Sequence, residues 1–408
     1  MKILTVLPFF VLACQATPTS TPNTATKIAT ATITQIDVTL ETVDGFSFKW
    51  GGFSGLNFIK KETNGDLLFW TLTDRGPNGA EFKRDKKVHR PFLSPNFTPS
   101  FVLLKFSKAE NKVSVVKTIP FKDQKDNLMT GLPPKESLAK VEQPTHMDGS
   151  NIDSDNNGVD SEALAIDSKK HFWVGDEYLP SLLEFDENGK LLARILPSAN
   201  AKAALRKNEI PNAFSFRKFN RGFEALGYKN GKIFFMSQSP LGVAEAHKDK
   251  EFSVIRIGVF NTKTRIYEAE YIYPLTQKKV DKIGDLVMID DTHFYVIEQN
   301  GDVGQESVHL IYKVDLTSAT NLVKIPLARD PETYASAELL AQVKPVQKTL
   351  MVDLVQGGYS EYEKIEGLAM IDDETLAIVN DNDFGISTNS SGQLEIIERK
   401  TSLGFIAL

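Results

Sequence analysis

Apolar and polar residues alternate in five segments of this chain, and every segment repeats the same order of features. An acidic or hydroxyl residue opens an apolar strand-like stretch, and a turn, a second apolar stretch and a polar cluster follow it. The period of two is that of a β-strand, and Asn, Asp and Gly at the turns favour tight hairpins. We therefore predict five β-hairpins, whose first strands begin at Ser54, Glu162, Glu224, Asp285 and Glu366.

Two further strand-like stretches follow four of the hairpins. They are residues 101–106 with 113–119, 182–185 with 191–195, 253–260 with 267–273, and 309–314 with 321–325. Four antiparallel strands per repeat form the blade of a β-propeller, so we predict an all-β propeller of four-stranded blades. The first two hairpins lie about twice as far apart as one blade requires, which makes six blades the expected number and leaves five or seven as alternatives.

The two ends of the folded part are expected to meet. Residues 33–42 have strand character and would close the ring against residues 403–408, because closure protects the edges of the sheets. Residues 199–207 and 332–343 have helical composition, and we expect them to form short insertions between blades.

The N-terminus has the features of an export signal. Lys2 precedes an apolar run at residues 3–12 that is too short to span a bilayer, and Ala13 precedes Cys14, the only cysteine. The order Val-Leu-Ala-Cys resembles a lipobox, so we predict that residues 1–13 are removed and that Cys14 carries a diacylglycerol anchor. An ordinary secretory signal followed by a chance cysteine is the alternative.

Residues 14–33 are rich in Thr and Ala and contain no aromatic residue, so we expect a flexible tether there and one folded domain at residues 34–408. Gln15 stands where an aspartate commonly retains lipoproteins at the inner membrane, which favours the outer membrane. We expect the chain to contact the membrane through the lipid only, and to be a monomer.

Composition excludes several kinds of chemistry. No cysteine follows Cys14, which excludes disulfides, cysteine-based zinc sites and cysteine nucleophiles from the folded part. The formal net charge is -6 and no basic tract occurs, so nucleic acid is not an expected partner.

The acids that open the inner strands are the strongest chemical signal. In a propeller the first strand of each blade lines the central channel, so Glu162, Glu224, Asp285 and Glu366 are expected to face one another there. Carboxylates crowded together in a low dielectric repel, and a bound cation, paired arginines or shared protons relieve the repulsion. Alternatively, each acid accepts backbone N–H bonds from a neighbouring blade and has a purely structural role.

Polar residues at the ends of the second strands form a second candidate shell. They are Asp74, Asp176, Gln238, Glu298 and Asp381. Arg75 and Arg221 lie beside acidic positions, where a guanidinium suits either a phosphate oxyanion or the neutralisation of crowded carboxylates. Their joint placement favours an anionic substrate.

A separate acidic loop precedes the second hairpin. Asp153, Asp155 and Asn157 stand at alternate positions before a glycine, as at the start of an EF-hand calcium loop. Leu164 occupies the place of the closing glutamate, which excludes a complete EF-hand. A shorter calcium loop closed by Asp160 or Glu162 is one interpretation, and a solvated acidic turn is the other.

The order of these motifs resembles the phytase-like domain family called "esterase-like activity of phytase", over residues 46–408. The resemblance rests on four pairs of motifs: Ser54-Gly55-Leu56 with Asp74-Arg75-Gly76-Pro77, Ser161-Glu162-Ala163-Leu164 with Asp176-Glu177-Tyr178, Asn220-Arg221-Gly222-Phe223-Glu224 with Gln238-Ser239-Pro240, and Ile365-Glu366-Gly367-Leu368 with Asp381-Asn382-Asp383-Phe384. It implies an exported bacterial propeller whose recurring acids support phosphoester hydrolysis. This chain departs from the pattern where Ser54 replaces an acid and where alanine follows Glu162 and Glu224.

The leading interpretation is a calcium-assisted hydrolase of a small anionic phosphoester. Its catalytic residues would be Glu224, Glu366, Arg75 and Arg221. Its metal ligands would come from Glu162, Asp285, Asp176, Asp381, Asp153, Asp155 and Asn157. Two alternatives stay open: a non-catalytic cell-envelope propeller that binds a carbohydrate or protein partner, and a lactonase with one channel metal.

Overall fold

In the computed structural model, β-strands are the main regular structure of the described residues. The structure describes residues 31–36, 39–43, 46–137, 139–199, 206–243, 253–275, 277, 279–389, 393–397 and 399–408. The predicted signal peptide, Cys14, most of the predicted tether and most of the predicted helix at 199–207 lie outside the described residues. Within the described residues, no helix has the length and apolarity needed to cross a membrane.

The described strands follow the predicted hairpins closely. In chain order they are β1 Ala31–Gln35, β2 Thr39–Val43, β3 Phe46–Lys49, β4 Phe53–Lys61, β5 Leu67–Thr73, β6 Phe82–Arg84, β7 Lys87–Pro91, β8 Ser100–Ser107, β9 Lys112–Pro120, β10 Gln143–Thr145, β11 Ser161–Ile166, β12 Phe172–Asp176, β13 Ser181–Phe185, β14 Leu191–Pro197, β15 Glu209–Ile210, β16 Phe223–Lys229, β17 Lys232–Ser237, β18 Ser253–Asn261, β19 Ile266–Leu275, β20 Lys282–Met288, β21 His293–Gln299, β22 His309–Asp315, β23 Gln347–Asp353, β24 Lys364–Asp372, β25 Thr375–Asp381, β26 Ile386–Thr388, β27 Leu394–Ile396 and β28 Ser402–Ala407.

Helix is scarce, as the composition predicts. One short α-helix, α1, spans Ser336–Leu340. Single turns of 3-10 or π-helix occur at Lys135–Ser137, Asn212–Phe216, Gly304–Glu306, Pro331–Thr333, Val355–Tyr359 and Asp383–Gly385.

Five sheets form the blades. Their strand orders are β4-β5-β8-β9, β11-β12-β13-β14-β15, β16-β17-β18-β19, β20-β21-β22-β23 and β24-β25-β28-β1. The inner strands β4, β11, β16, β20 and β24 contact one another in that order, and β24 contacts β4 again. Five sheets of the described residues therefore follow one another around a closed ring, which agrees with the five-blade alternative rather than with six blades. The long segment between the first two blades supplies β10, which pairs with β7 of a small side sheet, and adds no sixth blade.

The two ends of the described chain complete the fifth blade together, as predicted, although β2 of the predicted segment 33–42 pairs with β3 instead. Strand β1 pairs antiparallel with β28, so that Ala31 lies opposite Ile406 and Gln35 opposite Ser402. The Thr34 hydroxyl also donates a hydrogen bond to Asn111 of the first blade, at 3.1 Å. The strand begins three residues before the predicted domain boundary at residue 34, so residues 31–33 belong to the blade rather than to the tether.

The fourth blade differs from the prediction in its outer strand. Residues 321–325 were expected to form that strand, but β23 (Gln347–Asp353) pairs with β22 instead. The intervening insertion carries α1, and its Leu322 and Leu339 pack on Val254 and Ile272 of the third blade. Of the apolar residues that indicated a strand, Leu322 is buried in this satellite core, whereas Val323 and Ile325 are exposed. The helix lies within a blade rather than between two.

The main cores lie between neighbouring blades. Met236 and Ile257 of the third blade pack in one cluster with Leu286 and Val296 of the fourth, and comparable clusters join the other blades. This arrangement follows from the alternation of apolar residues, because both faces of each central strand are covered by an adjacent blade.

All five inner strands carry a β-bulge at the same level of the channel. The bulges lie next to five equivalent leucines, which are Leu56, Leu164, Leu226, Leu286 and Leu368. The residue two positions before this leucine differs between the strands. In chain order it is Ser54, Glu162, Glu224, Gly284 and Glu366. Asp285 stands one residue closer to the leucine, so its expected equivalence with the three glutamates was wrong.

Asp285 takes the position at which the other four strands have glycine or alanine. Its buried carboxylate accepts hydrogen bonds at 2.8 Å from the backbone N–H groups of Leu286 and Leu368. Burial raises the pKa of Asp285 well above its usual value, against the stabilising N–H groups of those two residues and of Leu56 and Leu226. One side chain therefore joins the backbones of four blades.

Small residues at this level are a packing requirement. A Cβ atom at Gly55, whose φ is +69°, would lie 2.6 Å from the backbone nitrogen of Leu164. A Cβ atom at Gly367 would lie 2.4 Å from a side-chain carbon of Val379. The inner strands approach the channel axis too closely for larger side chains, and the Asp285 carboxylate is held in the space that remains.

We expect Asp285→Ala to lower the free energy of unfolding by about 2–5 kcal/mol, because it leaves buried backbone N–H groups without acceptors. Urea unfolding followed by circular dichroism measures this loss. The matched control is Asp290→Ala, which removes an acid from an exposed turn five residues along the chain and should cost less. Equal stability of the two variants would contradict the structural role of Asp285.

Candidate metal-binding site

Three glutamates meet in the central channel. Glu162, Glu224 and Glu366 each offer a carboxylate oxygen, and these oxygens lie within 4.8 Å of one another. Each residue is the extra residue of the β-bulge in its strand, and all three side chains are buried. The bulge explains the convergence, because it turns the side chain out of the normal alternation and toward the axis.

The surroundings of Glu224 disfavour the ionised form of its carboxylate. Both of its carboxylate oxygens are buried and accept no hydrogen bond among the described residues. Burial, and then the charges of Glu366 and Glu177, raise the pKa of Glu224 well above its usual range, although Gln238 and Lys282 oppose the shift. Gln238 lies near enough to affect the pKa but forms no hydrogen bond of normal geometry with Glu224.

Ser54 occupies the place of an acid in the first blade. Its hydroxyl donates a hydrogen bond of 2.7 Å to Glu162 and lies 3.4 Å from an oxygen of Glu366. The site therefore contains three carboxylates and one hydroxyl, and the serine links two of the glutamates. Burial and the neighbouring acids, Asp160 first, raise the pKa of Glu162 well above its usual value.

A second acidic group adjoins the first and shares Glu162 with it. Asp160, Glu162 and Glu177 also offer oxygens within 4.8 Å of one another. Burial, with the charge of Asp160 next in size, raises the pKa of Glu177 to about 8, against three arginines that lower it. One oxygen of Glu177 is buried without a hydrogen-bond partner among the described residues.

Both predicted arginines lie at this second group. Arg75 donates to Asp160 at 2.9 Å and has its Nε buried without a hydrogen-bond acceptor among the described residues. Arg221 makes one long contact of 3.4 Å with Asp281, and its Nη1 has no acceptor in the described part of the chain. Because both arginines lower the pKa of Glu177, the two guanidinium groups act on the same small region.

A third acidic group already contains a cation. Asp74, Asp381 and Asp383 offer oxygens within 4.8 Å of one another. Lys364 donates to Asp381 at 2.6 Å and to Asp383 at 2.9 Å. Burial raises the pKa of Asp381 to about 7 even so. Asp74 and Asp381 of the predicted second shell thus lie together, and Lys364 and Arg399 supply positive charge to their group.

Asp176 has its oxygens occupied by structural hydrogen bonds. They accept the N–H groups of Asp160 and Tyr178 and the hydroxyl of Ser181. Burial raises the pKa of Asp176 to about 6. It belongs to none of the acidic groups found among the described residues, and its neighbour Glu177 contributes to the channel instead.

The predicted calcium loop is held by its own hydrogen bonds. Asp155 accepts the Thr130 hydroxyl at 2.8 Å and the N–H group of Asn157 at 2.9 Å. The Asn157 side chain donates to Asp123, and Asp153 is exposed. Asp155 and Asn157 are therefore engaged in hydrogen bonds, and Asp160, which could have closed the loop, pairs with Arg75.

The family follows from the sequence as a whole. The family model of phytase-like proteins, described as "esterase-like activity of phytase", matches residues 49–384, which include the acidic groups of the channel. The chain belongs to this phytase-like family. The resemblance inferred from the motifs is confirmed.

One similar protein has a name that states no activity. An uncharacterized secreted protein from the fungus Arthroderma benhamiae is 23% identical to this phytase-like chain over 274 residues. The aligned part covers 57% of this chain and 53% of the fungal protein, so this chain matches about half the length of that relative.

Similarity to solved structures is weak. The aldose sugar dehydrogenase of Streptomyces coelicolor has a TM-score of 0.33 and 10% identity, with 93% of this chain and 98% of that chain covered. The virginiamycin B lyase of Staphylococcus aureus has a TM-score of 0.31 and 10% identity, with 93% and 99% covered. At these scores the likenesses carry no argument about activity.

Sequence reasoning missed several residues of the phytase-like site. Asp160 was named only as a possible closing residue of the calcium loop, and Glu177, which directly follows the predicted Asp176, was given no role. Lys364 could have been found, because it stands two residues before Glu366 in the same inner strand. No sequence pattern indicates that Ser54 would bond to two of the glutamates.

The raised pKa values predict how the metal-free protein responds to pH. Glu177 and Asp381 keep their protons to about pH 8 and about pH 7 in the folded state, whereas the unfolded chain loses them near pH 4. The folded state thus binds more protons between these limits, so the free energy of unfolding falls as the pH rises from 5 to 8.5. Calcium should restore more stability at pH 8 than at pH 5.5, because protons compete for the same carboxylates.

Thermal midpoints with and without calcium, measured across this pH range after treatment with a chelator, check the prediction. Glu177→Gln, which is neutral at every pH, should flatten the decline between pH 5 and pH 8. A midpoint of the metal-free protein that rises from pH 5 to pH 8.5 would show that these carboxyl groups are not protonated in the folded state.

Proposed function

We propose that this phytase-like propeller is an exported, calcium-assisted hydrolase of small phosphoesters. The observation that carries the proposal is the group of Glu162, Glu224 and Glu366, in which Glu224 is buried with no hydrogen bond to either oxygen among the described residues. An ionised carboxylate without a partner is costly to bury, so the group requires a cation or protons.

The donor set fits calcium. Calcium binds carboxylate oxygens at about 2.3–2.6 Å, so two ligands of one ion are at most about 5 Å apart. The three glutamates meet this limit, since their oxygens lie within 4.8 Å of one another. A hydroxyl such as that of Ser54 is an oxygen donor of the same hard type. When bound there, a divalent cation would polarise a phosphoryl oxygen and lower the pKa of a bound water.

The arginines would bind the anionic group of the substrate. The Nε of Arg75 and the Nη1 of Arg221 are buried donors without acceptors among the described residues. A phosphoryl group accepts two or more hydrogen bonds from guanidinium groups and is held most tightly when it carries a double negative charge. This favours a phosphoester over a neutral lactone as the substrate.

Two glutamates are placed for proton transfer, provided that the cation keeps Glu224 ionised. Glu224 has two oxygens free of hydrogen bonds among the described residues, so one can bind the cation while the other accepts the proton of the attacking water. Glu177, with its pKa raised to about 8 by burial, holds a proton at neutral pH and can give it to the leaving alkoxide oxygen. Water then adds to phosphorus as the ester bond breaks, giving phosphate and an alcohol.

We also propose that Cys14 anchors the chain at the outer membrane. Ala31 pairs with Ile406, and Ile406 pairs with Leu376, next to the turn between β24 and β25. The channel acids lie near Lys364 and Asp381, at the opposite end of the same strands. A tether entering at Ala31 would therefore leave the acidic mouth of the channel facing away from the lipid.

The first test is Glu224→Gln, which keeps the size of the side chain but removes its charge. We expect calcium affinity and calcium-dependent hydrolysis of an aryl phosphate each to fall by at least about 100-fold, because a metal ligand and a proton acceptor are lost together. Calorimetry of calcium binding and release of the phenol measure the two effects.

Asp155→Asn is the control for that test, since it removes an equivalent charge from the acidic loop. Full calcium binding and full hydrolysis are expected in this variant. Binding that is lost in Asp155→Asn and kept in Glu224→Gln would place the ion in the loop, and a native protein that binds calcium without any hydrolysis would favour the non-catalytic envelope propeller.

A second test separates a phosphoesterase from a lactonase. Arg221→Ala removes a half-exposed side chain with only one long ion contact, so the fold should not change. We expect kcat/KM for an aryl phosphate to fall by about 10- to 100-fold, the worth of one charge-assisted hydrogen bond, and kcat/KM for a neutral lactone to stay the same. A larger loss with the lactone than with the phosphate would reverse the assignment.

A further inference from the structure

A cavity of about 310 Å³ lies at the end of the third blade where the inner strand β16 begins. Glu224 enters the channel at the same end of that strand, so the cavity and the channel acids lie toward one end of the ring. The wall of the cavity is formed by the segments that flank the strands of the third blade and by the insertion that carries α1.

Arg221 links this cavity to the site of the proposed function. Its guanidinium group contacts Asp281, a residue of the cavity wall, at 3.4 Å. Burial, and then the charge of Arg221, lowers the pKa of Lys218, which is also part of the wall. The same arginine lowers the pKa of Glu177 in the channel, against the larger effect of burial. A group held by Arg221 is therefore close both to the channel acids and to the cavity.

The backbone limits the distance between the cavity and the channel. Burial raises the pKa of Glu224, and Gln238 is near enough to oppose that rise. Pro240, two residues farther along the chain, belongs to the cavity wall. Two residues of extended chain span at most about 7 Å. A substrate whose phosphoryl group lies at the channel acids therefore needs only a short leaving group to reach the cavity.

Most of the side chains that line the cavity are apolar. A cavity of a few hundred Å³ with an apolar wall and a few polar groups is the usual form of a small-molecule site. The wall offers one aromatic ring and several aliphatic side chains, all of them buried: Tyr334, Leu241, Val254, Leu275, Val280 and Leu339.

The two acids of the wall already have partners. Arg256 donates to both oxygens of Glu332, at 2.8 and 2.6 Å, and Asp281 accepts from Arg221. Each hydroxyl group of a polyol would lose its hydrogen bonds to water on entering the cavity and would need a new partner there. An apolar ring has no such requirement and gains from the removal of its surface from water.

We propose that this cavity binds the leaving group of the phosphoester, and that the leaving group is an apolar, ring-bearing alcohol rather than a polyol. The inference rests on the proposed function, because that function places the phosphoryl group at Arg221 and the channel acids. It goes beyond that function by naming the class of substrate. The ring would pack against Tyr334 and its aliphatic neighbours while the phosphoryl group remains at the arginine.

The first experiment compares two substrates with six-membered rings. Benzyl phosphate and inositol monophosphate both release an alcohol, but only the inositol ring carries further hydroxyl groups. We expect kcat/KM of the native protein to be at least about 10-fold higher for benzyl phosphate, because discrimination in an apolar pocket is typically of this size or larger. Equal values, or a preference for inositol monophosphate, would overturn the inference.

Gly242 offers a way to fill the cavity with little disturbance of the fold. It is an exposed residue of the wall, and the nearest atoms to a Cβ placed there are the carbonyl oxygen of Phe216 at 3.3 Å and a side-chain carbon of Lys218 at 3.4 Å. Gly242→Leu should lower kcat/KM for benzyl phosphate by at least about 10-fold and change that for inositol monophosphate by less than about twofold.

Gly242→Ala is the matched control, because it also removes the glycine but adds only a Cβ atom. It should keep the native ratio of the two kcat/KM values. Circular dichroism and the thermal midpoint establish that both variants are folded. An equal loss with both substrates in Gly242→Leu would count against a leaving-group site in this cavity.

Binding without turnover separates this inference from the proposed function. Benzylphosphonate and methylphosphonate are not hydrolysed, because carbon replaces the ester oxygen. Calorimetry of the native protein in the presence of calcium should give at least about 10-fold tighter binding of benzylphosphonate, and Gly242→Leu should remove the difference. Equal affinities, or no binding of either compound, would overturn the leaving-group site.

The two failures are distinguishable. Preferential binding of benzylphosphonate without hydrolysis of any phosphoester would leave the cavity as a binding site and remove the hydrolase. Hydrolysis of phosphoesters with equal affinities for the two phosphonates would leave the hydrolase and remove the leaving-group site.

Discussion

The structure depends on the approach of five inner strands to one axis. At the level of the bulges the strands are so close that glycine or alanine is required in four of them, and the fifth supplies Asp285. The bulges leave buried backbone N–H groups directed at the axis. The Asp285 carboxylate accepts them from several blades, so the closure of the ring and the burial of a charge are one interaction.

The same closeness forces the glutamates together. A bulge that turns a side chain toward the axis in one strand does so in every strand with the same register, so Glu162, Glu224 and Glu366 meet whatever their role. Three carboxylates in so small a volume raise one another's pKa, in addition to the effect of burial. A protein that needed only to close its ring could place glycine at these positions, as the fourth blade does with Gly284.

The hairpins could be predicted from sequence because alternation and turn residues are local signals. Strands β4, β5, β24 and β25 lie where the pattern places them. The blade number could not be predicted, because the number of residues between the first two hairpins does not reveal that β10 joins a side sheet. The register of Asp285 was misread for a related reason: the count must start from Leu286, and only the pairing of the strands shows that this leucine is the equivalent one.

The candidate site shows the same division between local and long-range signals. The acids at the bulges were found because they repeat, whereas Glu177 was passed over for Asp176, the residue beside it. Which of two adjacent acids enters the channel depends on hydrogen bonds from Asp160 and Ser181, and these residues are brought there by the fold. Short-range pattern identifies the strand that supplies a ligand, but not the side chain that becomes one.

The acids and the arginines of the candidate site come from different blades of the ring. Blade one contributes a hydroxyl at Ser54 where three other blades contribute an acid, and its second strand ends beside Arg75. The negative charge is therefore concentrated on the second, third and fifth blades, while a cationic side chain lies on the side of the first. Arg221, just before the third inner strand, acts on the same Glu177 as Arg75 does. A cation held by the glutamates and an anion held by the arginines would then be adjacent, which is the arrangement that phosphoryl transfer to water requires.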